Sequence, residues 1–149
     1  MLSVGLLFVL CNILEMVSTT RQRCPITIGT YPKQGAVLNP LAKLIEEKVQ
    51  GASYACALEP RAYLKFFHLT DEQWQKLYSN VKIAKELKYE AEKDGGKLKK
   101  PEELAKEAFD HWSPELEKIK GGRFGCVIQN QPSMRRSFKT VYKLACLFE

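Results

Sequence analysis

The side chains in this sequence best equipped for chemistry are its cysteines, Cys11, Cys24, Cys56, Cys126 and Cys146. A thiol acts as nucleophile or metal ligand only as the free thiolate. Only two histidines, His68 and His111, accompany the cysteines, and the spacing of the cysteines matches no zinc-binding pattern. The N-terminus points to a different use. Residues 1–14 contain no Lys, Arg, Asp or Glu and are dominated by Val4, Leu6, Leu7, Phe8, Val9, Leu10, Ile13 and Leu14. This apolar run of about 10 residues is shorter than the ~20 a membrane span needs and suits the h-region of a secretory signal. Small residues at Ser18, Thr19 and Thr20 suit cleavage. Residues 1–20 therefore read as a signal peptide and residues 21–149 as a single secreted domain. Cys11 would leave with the signal. Cys24, Cys56, Cys126 and Cys146 remain, an even set that reads as a disulfide framework in an oxidising compartment.

All 23 Lys and Arg lie after residue 20, and the whole chain carries 17 Asp and Glu for a formal net charge of +6. Such a balance favours acidic partners, among them glycosaminoglycans and anionic surfaces. Nucleic acid is excluded as a partner of a secreted chain, and no segment is long and apolar enough to predict stable membrane insertion. The chain has no Asn-x-Ser/Thr sequon, no nucleophile-elbow motif and no phosphate-binding glycine loop. Gly95-Gly96 and Gly121-Gly122 read as helix ends. No catalytic residue, cofactor or metal is assigned, and the expected activity is non-enzymatic.

The elements that must position these residues follow from periodicity. Residues 21–38, with Pro25, Gly29, Pro32 and Gly35, read as an irregular arm tied down at Cys24. Asn39-Pro40 predicts a helix start, with Leu41, Leu44, Ile45 and Val49 on its apolar face. A second helix is predicted over Ala57–Phe67, with Pro60 in its first turn. Thr70-Asp-Glu-Gln73 is a capping-box pattern opening a third helix, read as running through Trp74, Leu77 and Val81 towards Lys93. Lys100-Pro101-Glu-Glu opens a fourth helix to about Trp112, with Ser113-Pro114 restarting a short one.

After Gly122 the period changes from helical to alternating. Phe124, Cys126 and Ile128 share one face, as do Tyr142, Leu144, Cys146 and Phe148. Four cysteines allow three connectivities, so their spacing alone does not fix the pairing. An antiparallel pair with Cys126 opposite Cys146 also sets Phe124 opposite Phe148, Ile128 opposite Leu144 and Asn130 opposite Tyr142. This self-consistent register favours a Cys126–Cys146 bridge, stabilising by about 3 kcal/mol, and leaves Cys24 with Cys56. The connecting loop carries Met134, Arg135 and Arg136, an exposed trio suited to docking on an acidic surface.

Three stretches resemble one family in the right order. Tyr54-Ala-Cys56-Ala-Leu58-Glu59-Pro-Arg-Ala62 resembles the Tyr-x-Cys-x-Leu-Glu-x-x-Ala segment of nematode activation-associated secreted proteins. Phe109-Asp-His-Trp112-Ser-Pro-Glu-Leu116 resembles their Trp-x-x-Glu-Leu helix. Gly125-Cys126-Val-Ile and Leu144-Ala-Cys146-Leu-Phe resemble their last two strands. Those proteins are members of the CAP superfamily. The resemblance, over Ala36 to Phe148 with gaps, implies an α+β fold: an α-β-α sandwich of about four helices around a small antiparallel sheet, stapled by disulfides and ending in a two-stranded ribbon. This chain looks like a short, divergent relative.

The departures bear on function. The family's cavity histidines and glutamates lie in Gly-His-Tyr-Thr-Gln-x-x-Trp and Gly-Glu-Asn-Ile motifs that are missing here. What survives beside the Trp helix is His111 with Glu115, a candidate remnant polar site. The resemblance implies a secreted, non-enzymatic binding protein of the parasite excretory–secretory, host-interaction type, engaging an extracellular macromolecule such as a host protein or a glycosaminoglycan. The alternatives are a small-ligand or metal carrier using His111 and Glu115, and a glycosaminoglycan- or anionic-surface-binding module.

Overall fold

The computed structural model describes residues 21, 24, 25 and 28–149. The signal-peptide reading and Cys11 fall outside the described residues. In chain order the elements are helix α1 (Gln34–Lys48), strand β1 (Ala52–Tyr54), helix α2 (Leu58–Phe67), helix α3 (Asp71–Leu77), strand β2 (Lys85–Asp94), helix α4 (Pro101–Leu116), strand β3 (Gly122–Pro132) and strand β4 (Lys139–Phe148). The strands form one sheet in the order β1-β3-β4-β2. Helices cover both faces, so the sandwich reading is borne out, but the sheet is mixed where a wholly antiparallel one was expected, because β1 pairs parallel with β3.

The ribbon has the predicted register: Phe124 faces Phe148, Cys126 faces Cys146, Ile128 faces Leu144 and Asn130 faces Tyr142. The Phe124 and Phe148 rings stack with centroids 5.1 Å apart. Cys126 is bonded to Cys146 and Cys24 to Cys56, as the register argument favoured. Side-chain alternation then divides the core. On one face Leu87, Phe124, Cys126, Ile128, Tyr142, Leu144, Cys146 and Phe148 pack with Val37, Leu38, Leu41 and Ile45 of α1 and Leu104, Ala108, Trp112 and Leu116 of α4. On the other, Val127, Ala145 and Leu147 meet Ala62 of α2, with Tyr63, Phe66, Phe67 and Ile83 around them. Each fully buried side chain of this size contributes roughly 1.5–3 kcal/mol, so the larger first layer dominates stability.

Four local expectations are corrected. First, α3 ends at Leu77, and the stretch read as its continuation is strand β2, so Gly95-Gly96 follow a strand and end no helix. Leu87, Tyr89 and Ala91 recur at a period of two, which a strand satisfies and a helix does not. They lie opposite Cys146, Leu144 and Tyr142 of β4. Glu86, Lys88, Glu90 and Glu92 fill the opposite face, and their charge protects β2 as an edge strand from further pairing. Second, α1 starts at Gln34, placing Pro40 inside it. Val37, Leu38 and Leu41 are completely buried, and that burial outweighs the backbone hydrogen bond that Pro40 cannot make. Third, α4 runs unbroken past Pro114 because Trp112 and Leu116 anchor both sides of it in the core. Trp112 also ties α4 to β2, its indole N–H donating to the Lys88 carbonyl at 2.9 Å. Fourth, Gly121 and Gly122 lead into β3 and do not simply terminate a helix. Both have positive φ, and β1 runs parallel to the start of β3 with Ala52 opposite Gly122.

The Thr70 capping box on α3 is present as predicted. Thr70 Oγ1 accepts the Gln73 N–H, and the Gln73 side chain accepts the Thr70 N–H.

Candidate functional site

The two ends of β3 carry different groups of side chains. At its start, β1 and the N-terminus of α2 bring Tyr54 and Glu59 together. Glu59 is buried on the first turn of α2, where the helix dipole favours a carboxylate. It accepts hydrogen bonds from Arg21 Nε at 2.6 Å and from the Tyr54 hydroxyl at 2.6 Å. Tyr54 in turn accepts the Cys126 N–H at 3.1 Å, and Arg21 Nη1 donates to Asn39 Oδ1 at 2.8 Å. Burial, reinforced by the Glu59 charge, pushes the Tyr54 hydroxyl far above the ordinary tyrosine range, so it is held as a donor. For Arg21, burial works against the charge, but the hydrogen bond to Glu59 and the contact with Tyr54 offset it and leave the pKa raised.

This end is close-packed. Gly125 lies beneath the first turn of α2, and a Cβ there would sit 2.6 Å from Leu58 Cβ and 2.9 Å from its carbonyl carbon. No buried side-chain nitrogen or oxygen is left unsatisfied among the described residues. The cluster has the character of an internal clamp. Sequence reasoning missed it because Arg21 and Glu59 are far apart in the chain and no local pattern links them.

At the other end, Ser133–Phe138 turns the chain between β3 and β4. Ser133 Oγ accepts the backbone N–H groups of Arg135 and Arg136 at 3.3 Å each, which shapes the tip. Met134 is 99% exposed and Phe138 85% exposed. Arg136 approaches Glu92 of β2 at 3.8 Å, and Arg135 has no ion-pair partner among the described residues. The structure thus gathers the predicted trio Met134, Arg135 and Arg136 on one projecting turn and adds Phe138. Phe138 was not among the residues the sequence singled out, because it lies outside the alternating set Tyr142, Leu144, Cys146 and Phe148.

The loop after β2 lies against this turn. Gly95 N–H donates to the Phe138 carbonyl at 2.6 Å, and the Lys139 ammonium pairs with Asp94. That contact holds the Asp94 carboxyl below its ordinary range. The loop contributes exposed Lys97, Lys99 and Lys100, and only Lys100 has an acidic partner among the described residues, Glu103 at 2.7 Å. A groove of about 360 Å³ runs between this loop and α4. Its acids are already engaged: Asp94 by Lys139, Glu103 by Lys100, and Glu107 by Lys93 at 2.6 Å.

His111 and Glu115 share one side of α4 a turn apart, without a hydrogen bond between them among the described residues. His111 is exposed, its ring 5.4 Å from that of Tyr89. Glu115 pairs with Lys85 and, at 3.1 Å, with Lys118, contacts that lower its pKa. No group of three or more His, Cys, Asp or Glu able to hold a metal ion occurs among the described residues. No described helix is long and apolar enough to cross a membrane.

These features define an α+β scaffold stapled by two disulfides, with a tight polar clamp at one end and an open cationic turn at the other. A sequence model of the family described as Ancylostoma-associated secreted protein related matches residues 24–148, and the chain belongs to that family. The match bears out the resemblance to nematode activation-associated secreted proteins and spans both disulfides and every described helix and strand. No curated protein and no solved structure matched the chain.

Proposed function

We propose that this is a secreted, non-enzymatic binding protein of the excretory–secretory, host-interaction type, which engages an extracellular surface through the β3–β4 turn. The observation that carries the reading is the exposure of Met134 and Phe138 on the turn that also presents Arg135 and Arg136. Large apolar side chains almost wholly in water, beside a cation without an ion-pair partner among the described residues, Arg135, gain most from a partner that removes them from water. Secretion is supported by the family placement and by the two disulfides. A binding role is supported by the state of the reactive groups. Cys24, Cys56, Cys126 and Cys146 are bonded, and the Glu115 carboxylate is taken up by lysines.

The test is retention of labelled protein on intact animal cells. Changing Arg135 and Arg136 together to Glu should reduce retention at least fivefold or so, since each charge reversal removes an attraction and adds a repulsion. His111→Ala should leave it unchanged. Retention indifferent to the turn would sink the reading.

The alternatives give different outcomes. A carrier would show a stoichiometric metal site lost in His111→Ala. A glycosaminoglycan module would bind heparin with steep salt dependence and without need of Met134 or Phe138.

A further inference from the structure

Two loops meet at the turn end of the sheet, and every charged residue in them is a cation. Residues 95–100 supply Lys97, Lys99 and Lys100, residues 133–138 supply Arg135 and Arg136, and the strand ends beside them pair Lys139 with Asp94. The Gly95–Phe138 backbone hydrogen bond holds the loops side by side. Lys97, Lys99 and Arg135 have no ion-pair partner among the described residues, while Lys100, Arg136 and Lys139 have acids beside them. Met134 and Phe138, on the same turn as Arg135 and Arg136, are 99% and 85% exposed. Building on the binding role assigned to this turn, we propose that its partner is an anionic lipid bilayer, which Met134 and Phe138 enter at headgroup depth while Lys97, Lys99 and Arg135 contact lipid phosphates and carboxylates.

An anionic bilayer fits this surface on three grounds. The first is chemical. A sulfated polysaccharide satisfies the cations but leaves Met134 and Phe138 in water, whereas an anionic bilayer offers negative charge and hydrocarbon at adjoining depths. The second is size. A stable protein interface takes in roughly 20–30 residues a side, well beyond this turn and its neighbouring loop. A fluid surface can be engaged by a small convex tip. The third is that binding at a membrane surface strengthens both with buried apolar area and with attraction of basic residues to anionic lipid. Here both are present within two hydrogen-bonded loops. The docking is reversible and interfacial, without a membrane-spanning segment.

The experiment is flotation with vesicles, using protein recovered from a secreting culture and checked by mass for loss of the N-terminal apolar run. Vesicles are phosphatidylcholine alone or with about 30% phosphatidylserine, and the preference for the anionic set should fade as salt is raised. Met134→Ser with Phe138→Ser should lower partition onto anionic vesicles at least about tenfold. Each of Lys97→Gln, Lys99→Gln and Arg135→Gln should lower it by roughly fivefold. These side chains are exposed, and unchanged melting temperatures will verify that the variants fold.

Wild-type protein that fails to float with anionic vesicles overturns the proposal. So does an apolar double variant that floats like wild type, which would mark a generic polyanion surface. If flotation fails but retention on cells still depends on Arg135 and Arg136, the lipid assignment falls and the binding role of the turn stands. If both fail, both fall.

Discussion

The clamp around Glu59 and the turn around Phe138 lie near opposite ends of β3, yet they treat polar and apolar groups in opposite ways. At the clamp, charge is buried and paired: the Arg21 and Glu59 side chains are 8% and 3% exposed and joined at 2.6 Å. At the turn, apolar side chains are in water and Lys97, Lys99 and Arg135 lack acidic partners among the described residues. Buried polar groups that are all satisfied rigidify a structure, and their cost is already met within the fold. Exposed apolar groups and unpaired cations add nothing to folding, so their interaction energy remains available for a partner. The two ends thus separate holding the fold from meeting a surface, and substitutions should separate in the same way.

The largest effect is expected at the clamp. Arg21→Ala leaves the Glu59 carboxylate buried with the Tyr54 hydroxyl as its remaining side-chain donor among the described residues, and should destabilise by about 3 kcal/mol. Replacing both partners by apolar residues, Arg21→Met with Glu59→Leu, should recover most of that loss, because no charge is then left buried. Urea unfolding of both variants decides the point. Equal destabilisation would mean that the pair is not coupled and that the clamp is ordinary packing.

Gly125→Ala comes next. The added methyl would meet the Leu58 Cβ and backbone at 2.6–2.9 Å, and backbone cannot move aside cheaply. A loss of roughly 1–3 kcal/mol is expected, with α2 displaced from β3. A thermal melt within error of wild type would show that α2 sits more loosely on the sheet than the clamp requires.

The reading of the sequence succeeded and failed along the same division. The ribbon was legible because alternation around Cys126 and Cys146 forces one register, and a one-residue slip would send Phe124 and Phe148 to the wrong face. The turn residues Met134, Arg135 and Arg136 were legible because the loop follows once the strands are fixed. Strand β2 was not, because Ile83 and Leu87 fit helical spacing and the charged residues between its apolar ones also suit a helix. Only the β4 edge, supplying cross-strand neighbours for Leu87, Tyr89 and Ala91, decides the matter. The clamp was invisible because it joins residues distant in sequence, Arg21 to Glu59 and Tyr54 to the Cys126 backbone. Its one local signal was Glu59 inside an otherwise apolar helix face, between Leu58 and Ala62.

At the turn, stability should barely respond. Met134→Ser with Phe138→Ser should stay within about 0.5 kcal/mol of wild type, or rise slightly in solubility, because both side chains are already in water. A loss beyond about 1 kcal/mol in urea unfolding would mean that the turn packs on the body in solution, and the contrast with the clamp would fail.

The smallest effect sharpens the electrostatics of the turn. The Asp94 carboxyl is lowered by its hydrogen bond to Lys139, so its folded pKa lies below its unfolded one. The pair therefore contributes above the unfolded value and loses that contribution as pH falls through the folded one, at the acid edge of the carboxylate range. Asp94 is fully exposed, so the stability change should be slight and should shrink with salt. Lys139→Met should raise the Asp94 pKa, read by NMR titration of its side-chain carboxyl. No upward movement would mean that Lys139 points into solvent, adding to the cations available to an anionic surface, and the division between paired and unpaired charge at this end would need to be redrawn.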